Sequence, residues 1–451
     1  MAKASVVTWA DHKRFLALAL PLTVISLSTP LLGVVDTAIM GRLPQASYIG
    51  GVSIGVLIFN TLYWLLGFLR VSTSGFSAQA SGLRETRVSS LALFRPLVLA
   101  VSIGLLMVLF QQQVKDAAFA LMSPNKTVWA VASTYYDIRV WGAPFALANY
   151  VIAGWLMGMA KVKLSLYLQV TMNVLNMILA VYFVAGLGMS ADGVATATLI
   201  AEVGSAFIGM ALIARTGLIS MASLSVKTII DSTALVKMMK VNGDLFIRTA
   251  CLLAVFNYFA VYGLRYGDTI LAANAVLLQL HYVIAYLLSG FSNAATVFVG
   301  QAMGERNGLL FSKTVTLTAL WGGGMAILLS VTVLFLQGPL IAVFTTLPDV
   351  QKIAYQYYYW IAAFPLAAFW GLQLYGIFVG ATESAPIRNS MIYSLLVYFL
   401  ILWLLVPYLQ NHGVWLAFIV FSLGRSLFLW PYLPRLSKKI TGTAAEAVFG
   451  D

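Results

Sequence analysis

Residues 15–40 read FLALALPLTVISLSTPLLGVVDTAIM, an apolar run that is long enough to cross a bilayer as one helix. The run contains a single acid, Asp36, and two prolines, Pro21 and Pro30. A carboxylate within a membrane helix costs about 2.5 to 3.5 kcal/mol on insertion scales, so it is seldom retained without a function or a partner. Because each proline removes a backbone donor, the run predicts a hinged first helix with Asp36 as a proton-binding group. The alternative is a salt bridge near the membrane surface, since Arg42 follows closely.

The composition excludes an ordinary soluble domain. Hydrophobic residues make up 61% of the 451 residues and charged residues only 9%, whereas soluble domains carry about 25% charged residues. The net charge of +12 does not indicate a nucleic-acid partner, because no basic run is interleaved with aromatic residues. The single cysteine, Cys251, rules out an intramolecular disulfide, and the three histidines have no catalytic or metal-ligand spacing. We therefore expect a membrane protein without catalytic residues, metal or cofactor.

Apolar segments recur along the whole chain, and each is close to the roughly twenty residues that span a bilayer. Eighteen Lys and Arg residues fall on the side of the two termini and five on the opposite side. Since basic residues accumulate in cytoplasmic loops, we expect both termini in the cytoplasm and the protein in a bacterial-type cytoplasmic (inner) membrane. The twelve predicted spans are 15–40, 48–73, 89–111, 128–159, 164–186, 192–214, 234–264, 269–303, 314–337, 351–380, 387–408 and 413–434.

The second half of the sequence repeats the first. Residues 67–82, GFLRVSTSGFSAQASG, resemble residues 289–304, SGFSNAATVFVGQAMG, at an offset of 222 with four identical positions. Gly193 matches Gly413 at an offset of 220, so the register drifts by two residues over the half. Six spans in each half make the repeat parallel, which is typical of alternating-access transporters with a substrate site between two halves.

We therefore predict an all-α membrane protein with two six-helix lobes around a central cavity. The N-terminal lobe is residues 1–215 and contains the proton and drug site, and the C-terminal lobe is residues 233–451. Residues 216–232 form a cytoplasmic loop, which is long enough to let the two lobes rock as rigid bodies.

Polar residues at span depth cluster in the first half. Asn173 and Asn176 are three apart on the fifth span, Thr198 and Glu202 are four apart on the sixth, and Asn149 lies in the fourth. Each pair therefore shares one helix face. We predict that the asparagines and Thr198 line a substrate and cation pocket, and that Glu202 is a second candidate for the proton-binding group. The alternatives are helix–helix hydrogen bonds worth about 0.6 kcal/mol each and, for Glu202, a paired structural acid.

The second half has no acid at comparable depth. Asp244 and Arg248 are four apart near the start of the seventh span, which predicts an intrahelical ion pair. Arg70, Arg139 and Arg425 also lie within spans or at their ends. Snorkelling to the interface is the simplest interpretation of such arginines, and we favour it for Arg70.

Several stretches together resemble the DinF branch of the multidrug and toxic compound extrusion (MATE) family, and the resemblance covers nearly the whole chain. The stretches are GVVDTAIMGRL at 33–43, YYDIRVWGAPFALANYVIAGWLMG at 135–158, NVLNMIL at 173–179, NGDLFIRTACL at 242–252 and AANAVLLQ at 272–279.

The resemblance implies efflux of cationic and amphipathic compounds, driven by a proton or sodium gradient. In this branch the acid of the first helix is the protonation site and that helix bends at a proline, which correspond here to Asp36 and Pro21. Asn149, Asn176 and Thr198 match the polar companions of that acid.

The sequence also departs from the family pattern. It has Ala180 where the family commonly has an aspartate, and Ser289 and Thr296 where relatives carry acids. Asp36 is therefore expected to act alone or with Glu202, and a NorM-type sodium site in the second lobe is disfavoured.

Three alternatives to a proton-coupled exporter remain. The first is a sodium-coupled antiporter that uses Asp36 with Asn and Thr oxygens as ligands. The second is a flippase for lipid-linked substrates, which requires a cationic cavity where this pocket shows acids. The third, a membrane enzyme, lacks a catalytic constellation. The expected partners are small-molecule drugs and membrane lipid, and the expected oligomeric state is a monomer.

Overall fold

The computed structural model describes the main chain of residues 7–40, 46–122, 125–222 and 224–441, and their side chains except those of 28–40, 46–49 and 441. All regular elements in these ranges are helical. The α-helices are α1 Trp9–Met40, α2 Ala46–Leu66, α3 Phe68–Leu83, α4 Thr86–Leu109, α5 Gln111–Met122, α6 Lys126–Arg139, α7 Ala143–Gly158, α8 Val162–Val181, α9 Ala191–Arg215, α10 Val226–Ile229, α11 Ser232–Arg265, α12 Asp268–Gly304, α13 Gly308–Phe335, α14 Gln337–Phe344, α15 Pro348–Gly380, α16 Ser384–Leu409, α17 Asn411–Leu429 and α18 Leu433–Thr441. Short 3-10 segments at Val140–Gly142 and Trp430–Tyr432 and a π segment at Tyr182–Gly186 complete the set.

The predicted membrane architecture is confirmed. Eleven helical segments of the described chain are long and apolar enough to cross a bilayer. They correspond in order to the second through twelfth predicted spans, and α1, with 32 residues, covers the first. The protein is an all-helical, multi-pass membrane protein.

The chain folds into two compact units. The N unit is Ser28–Met238, and the C unit combines Met1–Leu27 with Met239–Asp451. Two helices, α1 and α11, therefore pass from one unit into the other. The lobe limits expected at 1–215, 216–232 and 233–451 stay a prediction, but the first part of α1 belongs to the unit that otherwise contains the second half of the chain.

The main chain repeats at an offset of 222. A left-handed backbone is rare for residues other than glycine, and five such residues occur in the described chain. Four of them form two pairs 222 apart, and the fifth matches a left-handed glycine at the same offset. The pairs are Arg84 with Arg306, Ala160 with Thr382, and Gly188 with Gln410. Since α9 begins at residue 191 and α17 at 411, the two-residue drift arises after this last turn.

The same close contact between two helices occurs in each unit. In the N unit a Cβ on Gly154 would lie 2.3 Å from the carbonyl oxygen of Arg70, so α7 packs directly on the backbone of α3. In the C unit a Cβ on Gly376 would lie 2.1 Å from the carbonyl oxygen of Ser292, which brings α15 equally close to α12. Small residues let membrane helices approach in this way. The two contacts are also 222 residues apart, so the sequence repeat is a repeat of packing.

The first part of α1 packs on helices of the C unit. A Cβ on Gly290 of α12 would lie 2.6 Å from Cα of Thr23, which leaves room for no larger residue. Before the predicted span, Lys313 of α13 donates to Asp11 at 2.8 Å. This hydrogen bond, with two more from Thr8, lowers the pKa of Asp11 from 3.8 to about 2.

The segment between α9 and α11 is held by α4. The Ser220 N–H donates to Ser90 Oγ at 2.9 Å, and Arg95, which is buried, donates to the Thr228 carbonyl at 3.0 Å. Both bonds lie in the N unit. The segment predicted as the cytoplasmic inter-lobe loop is therefore hydrogen-bonded at two points to α4.

Candidate functional site

A break between α6 and α7 places an arginine at span depth. Pro144, in the first turn of α7, has no N–H and clashes with the carbonyl four residues before it. The helix accordingly tightens into one 3-10 turn over Val140–Gly142 before α7 begins. Arg139 is the last residue of α6 and points into the unit at this break, with its side chain 11% exposed.

Arg139 pairs with Glu202 of α9. Its Nη2 lies 3.3 Å from Glu202 Oε1, and its Nη1 donates to the Tyr135 hydroxyl at 2.6 Å. The guanidinium carbon lies 5.1 Å from the ring centroid of Phe59 and 5.9 Å from that of Tyr63, so aromatic faces enclose the cation. The arginine is therefore neutralised inside the unit and does not snorkel to the interface.

Glu202 uses only one of its two carboxylate oxygens. The other, Oε2, is buried and has no hydrogen-bond partner among the described residues. Gly142 makes room for it, because a Cβ there would lie 2.5 Å from that oxygen. Asn149 of α7 donates to the backbone carbonyl of Glu202 at 2.8 Å. A buried acceptor without a donor is costly, so this oxygen is the chemically available atom of the cluster.

The structure brings two of the predicted pocket residues together directly. Asn176 of α8 donates to the Thr198 hydroxyl of α9 at 2.9 Å, and that hydroxyl donates in turn to the Val194 carbonyl. Asn173 accepts instead from Gln169 of its own helix at 3.2 Å. Polar residues on α7, α8 and α9 therefore meet on α9 at Thr198 and Glu202, one turn apart, while Asn173 is engaged separately.

Two predicted residues have side chains outside the described set. The main chain of α1 is helical through Asp36 and Pro30, but the description of side chains in α1 ends at Leu27. Pro21 lies in the part of α1 whose side chains are described. Two hydroxyls follow this proline and donate to carbonyls four residues earlier, Thr23 to Ala19 and Ser26 to Leu22, both at 2.9 Å. Such back-bonding accompanies bending of helices, so the hinge prediction has local support at this proline.

One predicted ion pair is wrong. Asp244 does not bind Arg248 one turn along α11, but accepts from Arg388 of α16 at 2.7 Å and from Ser384 at 2.7 Å. Arg388 therefore reaches the carboxylate from a different helix. Arg248 stacks instead on Tyr375 of α15, with its guanidinium carbon 4.2 Å from the ring centroid.

Sequence reasoning missed the role of Arg139 and of Gly142. An arginine and a glutamate at span depth in the same half of a membrane chain were the available signal, because such charges usually pair with one another. The role of Gly142 could not be predicted from a single sequence, because it depends on the position of the Glu202 side chain in the folded protein.

Comparisons with known proteins identify the family. The sequence model of the MatE family matches residues 21–182 and 245–404, so it matches twice, over ranges that end 222 residues apart. DNA damage-inducible protein F of Escherichia coli (strain K12) is 35% identical over 422 residues, 93% of this chain and 91% of that protein. The probable multidrug resistance protein NorM of Agrobacterium fabrum is 25% identical over 308 residues, 66% of this chain and 65% of that protein.

The fold agrees with solved structures of this group. A crystal structure described as MATE in the bent conformation superposes with a TM-score of 0.86 at 18% identity, over 96% of this chain and 98% of that chain. The family match covers both repeats, and the identity to the Escherichia coli protein extends over nearly the full length. The chain therefore belongs to the MatE family of multidrug and toxic compound extrusion transporters, which carry small molecules and are not enzymes.

Proposed function

We propose that this transporter exports cationic and amphipathic compounds in exchange for protons. Asp36 is the principal proton-binding group, Glu202 the second candidate, and α1 the helix that responds by bending at Pro21. Membership of the family supports drug export, and a relative described as a probable multidrug resistance protein supports a broad substrate range.

One observation carries the proposal: the N unit contains a buried carboxylate, Glu202, with one oxygen bound to Arg139 and the other without a partner among the described residues. Buried polar atoms usually have a hydrogen-bond partner, so the second oxygen of Glu202, which has none among the described residues, keeps a vacant acceptor position beside the ion pair. An oxygen that lacks a donor in one state can accept a proton or a cationic group in another. Glu202 thus makes the N unit the part of the chain suited to exchanging one cation for another.

The proposed cycle uses the two acids in different ways. Asp36 alternates between protonated and ionised forms as the site opens to each side, and each tenfold difference in proton affinity between the two states supplies about 1.4 kcal/mol of coupling. Protonation releases the drug and lets α1 bend at Pro21, where Thr23 and Ser26 already divert backbone carbonyls. The Arg139–Glu202 pair holds α6 to α9 during the change.

Asn149, Asn173, Asn176 and Thr198 serve this cycle as hydrogen-bonding groups of the pocket. The bond from Asn176 to Thr198 and the bond from Asn149 to the Glu202 carbonyl fix α7 and α8 against α9. The same oxygens favour the second candidate, sodium coupling, because carboxylate, amide and hydroxyl oxygens are ligands for hard cations. We place the protein in a cytoplasmic membrane as a monomer with both termini in the cytoplasm.

The coupling ion is tested in proteoliposomes that contain the purified protein and a fluorescent organic cation. A pH gradient at zero sodium is expected to drive uptake of the cation, and a sodium gradient at equal pH is expected to drive none. Uptake with sodium alone would overturn proton coupling and favour the sodium-coupled antiporter. Absence of uptake with either gradient, but exchange of labelled phospholipid between leaflets, would favour the flippase.

A further inference from the structure

Two arginines of the C unit, Arg248 and Arg425, pack against adjacent turns of α15 at span depth, and neither has an acidic partner among the described residues. Arg425 of α17 is 9% exposed and makes no hydrogen bond or ion pair with another described residue. Arg248 of α11 likewise has no acidic partner in the described chain, and its Nε is buried without a hydrogen bond. Arg248 stacks on Tyr375 of α15, and Arg425 packs beside Gly371, one turn earlier on the same helix, so the two arginines contact adjacent turns of α15.

The neighbouring acids are already occupied. Asp244, one turn from Arg248, is bound by Arg388 and Ser384, and Glu383 is bound by Lys439. A buried guanidinium such as that of Arg425 costs several kcal/mol unless an opposite charge compensates it, and a second positive charge nearby, here the partly buried Arg248, adds to that cost. Nothing in the described part of the C unit supplies that compensation. Among the described residues the two arginines therefore lack a negative partner, which an anion from outside the chain could supply.

Both arginine side chains pack against α15. Arg248 is stacked over the face of Tyr375, which fixes the plane of its guanidinium. The side chain of Arg425 begins close to α15, since a Cβ on Gly371 would lie 3.1 Å from Ser426 N and 3.2 Å from Arg425 Cβ. The planar fork of donors on a guanidinium group matches the geometry of phosphate and carboxylate oxygens.

We propose that Arg248, Arg425 and Tyr375 form a binding site for an oxyanion, the phosphate or carboxylate group of an amphipathic molecule. The site lies wholly within the C unit, so it does not depend on proton coupling by Asp36 or Glu202. The same chemistry is offered by the phosphate of an anionic lipid and by free phosphate in solution.

The site is tested by the thermal-unfolding midpoint of the full-length protein, followed by tryptophan fluorescence. In neutral detergent, sodium phosphate is titrated against sodium chloride at equal ionic strength. In nanodiscs, phosphatidylcholine alone is compared with phosphatidylcholine containing phosphatidylglycerol. The wild type is expected to show a saturable rise in the midpoint with phosphate, with phosphatidylglycerol, or with both. A rise with phosphatidylglycerol only identifies a lipid headgroup as the source, and a rise with phosphate identifies a site open to free anions.

The variants R425Q and R248Q are expected to lose this rise. The matched control is R265Q, because Arg265 lies on the same helix as Arg248 and stacks on Tyr262 at 4.6 Å; it should respond as the wild type does. R425K keeps the charge and the fold but not the fork of donors, and should weaken binding about tenfold, or 1.4 kcal/mol. No rise in the wild type, or an equal rise in R425Q and R425K, would overturn the proposal.

Discussion

At the residue scale the chemistry depends on which charges are paired. Arg139 and Glu202 neutralise each other between α6 and α9, with side chains 11% and 9% exposed. Removing one partner of such a pair leaves an uncompensated charge, which costs about 3–5 kcal/mol. The pair therefore matters more for the integrity of the N unit than its single 3.3 Å contact suggests.

The R139Q variant should lower the thermal-unfolding midpoint, because Glu202 then remains buried without its cation. Adding E202Q to R139Q should restore part of the loss, since the second change removes the stranded charge. The measurement is the midpoint of the four proteins of this cycle in one detergent. If the two single losses simply add in the double variant, the two residues are not energetically coupled.

Asp11 provides a contrasting carboxylate whose ionisation does not change over the working range of pH. Its pKa is lowered from 3.8 to about 2 by Lys313 and Thr8, so the stabilisation is complete above about pH 4 and is lost as the pH falls towards 2. D11N should therefore leave the shape of the transport–pH profile unchanged between about pH 5.5 and 8. A shifted profile in D11N, measured in proteoliposomes beside the wild type, would assign Asp11 a part in coupling.

At the element scale the close helix crossings define the two units. Gly154 and Gly376 bring α7 onto α3 and α15 onto α12 at the same point of each repeat. The neighbour of each glycine is a backbone carbonyl, which cannot move without moving its helix. These crossings explain why a repeat with few identical residues retains the same backbone at an offset of 222.

Substitution of either crossing glycine should therefore damage folding. G376A places a Cβ 2.1 Å from the Ser292 carbonyl oxygen, and G154A places one 2.3 Å from the Arg70 carbonyl oxygen. Both should give a large loss of monodisperse protein in size-exclusion chromatography. The matched control is G324A on α13, where a Cβ meets nothing within 4 Å; it should gain about 0.5–1 kcal/mol. Normal yields of monodisperse G376A would contradict the close packing of α15 on α12 at this glycine.

The first helix carries the proposed motion. Pro21, Thr23 and Ser26 weaken the backbone ladder just before α1 leaves the C unit after Leu27. P21A restores a backbone donor and favours the helix by about 3 kcal/mol in intrinsic propensity. It should keep or raise the unfolding midpoint while slowing drug transport. Transport at the wild-type rate by P21A, at equal protein in the membrane, would show that the proline is not the hinge.

At the scale of the whole molecule the sequence predicted the architecture better than the contacts. Hydropathy located the spans because about twenty apolar residues are needed to cross a bilayer, and the 222-residue offset appears again in the turns at Arg84 and Arg306. Helix periodicity predicted one polar face on α8 and one on α9, and Asn176 and Thr198 of these faces are hydrogen-bonded to each other. These features could be predicted because they depend on the hydropathy and spacing of residues along the chain, which a single sequence shows.

Contacts between distant helices could not be predicted in the same way. The expected pair of Asp244 with Arg248 failed because Arg388, more than a hundred residues away in sequence, is closer in space. Arg139 was interpreted as a residue near the interface because its pairing with Glu202, 63 residues further along the chain on α9, depends on tertiary packing. That Arg248 and Arg425 lack an acidic partner among the described residues became evident only when Asp244 was seen to bind Arg388.

The central claim is that Asp36 carries the proton exchanged for drug. The most direct measurement uses proteoliposomes with a pH-sensitive dye inside, and records proton movement on addition of an organic cation to wild type, D36N and E202Q. Proton movement coupled to drug in the wild type and absent in D36N, with drug binding retained, is the predicted result. Undiminished drug-coupled proton movement in D36N would contradict the claim, and its selective loss in E202Q would transfer the role to Glu202.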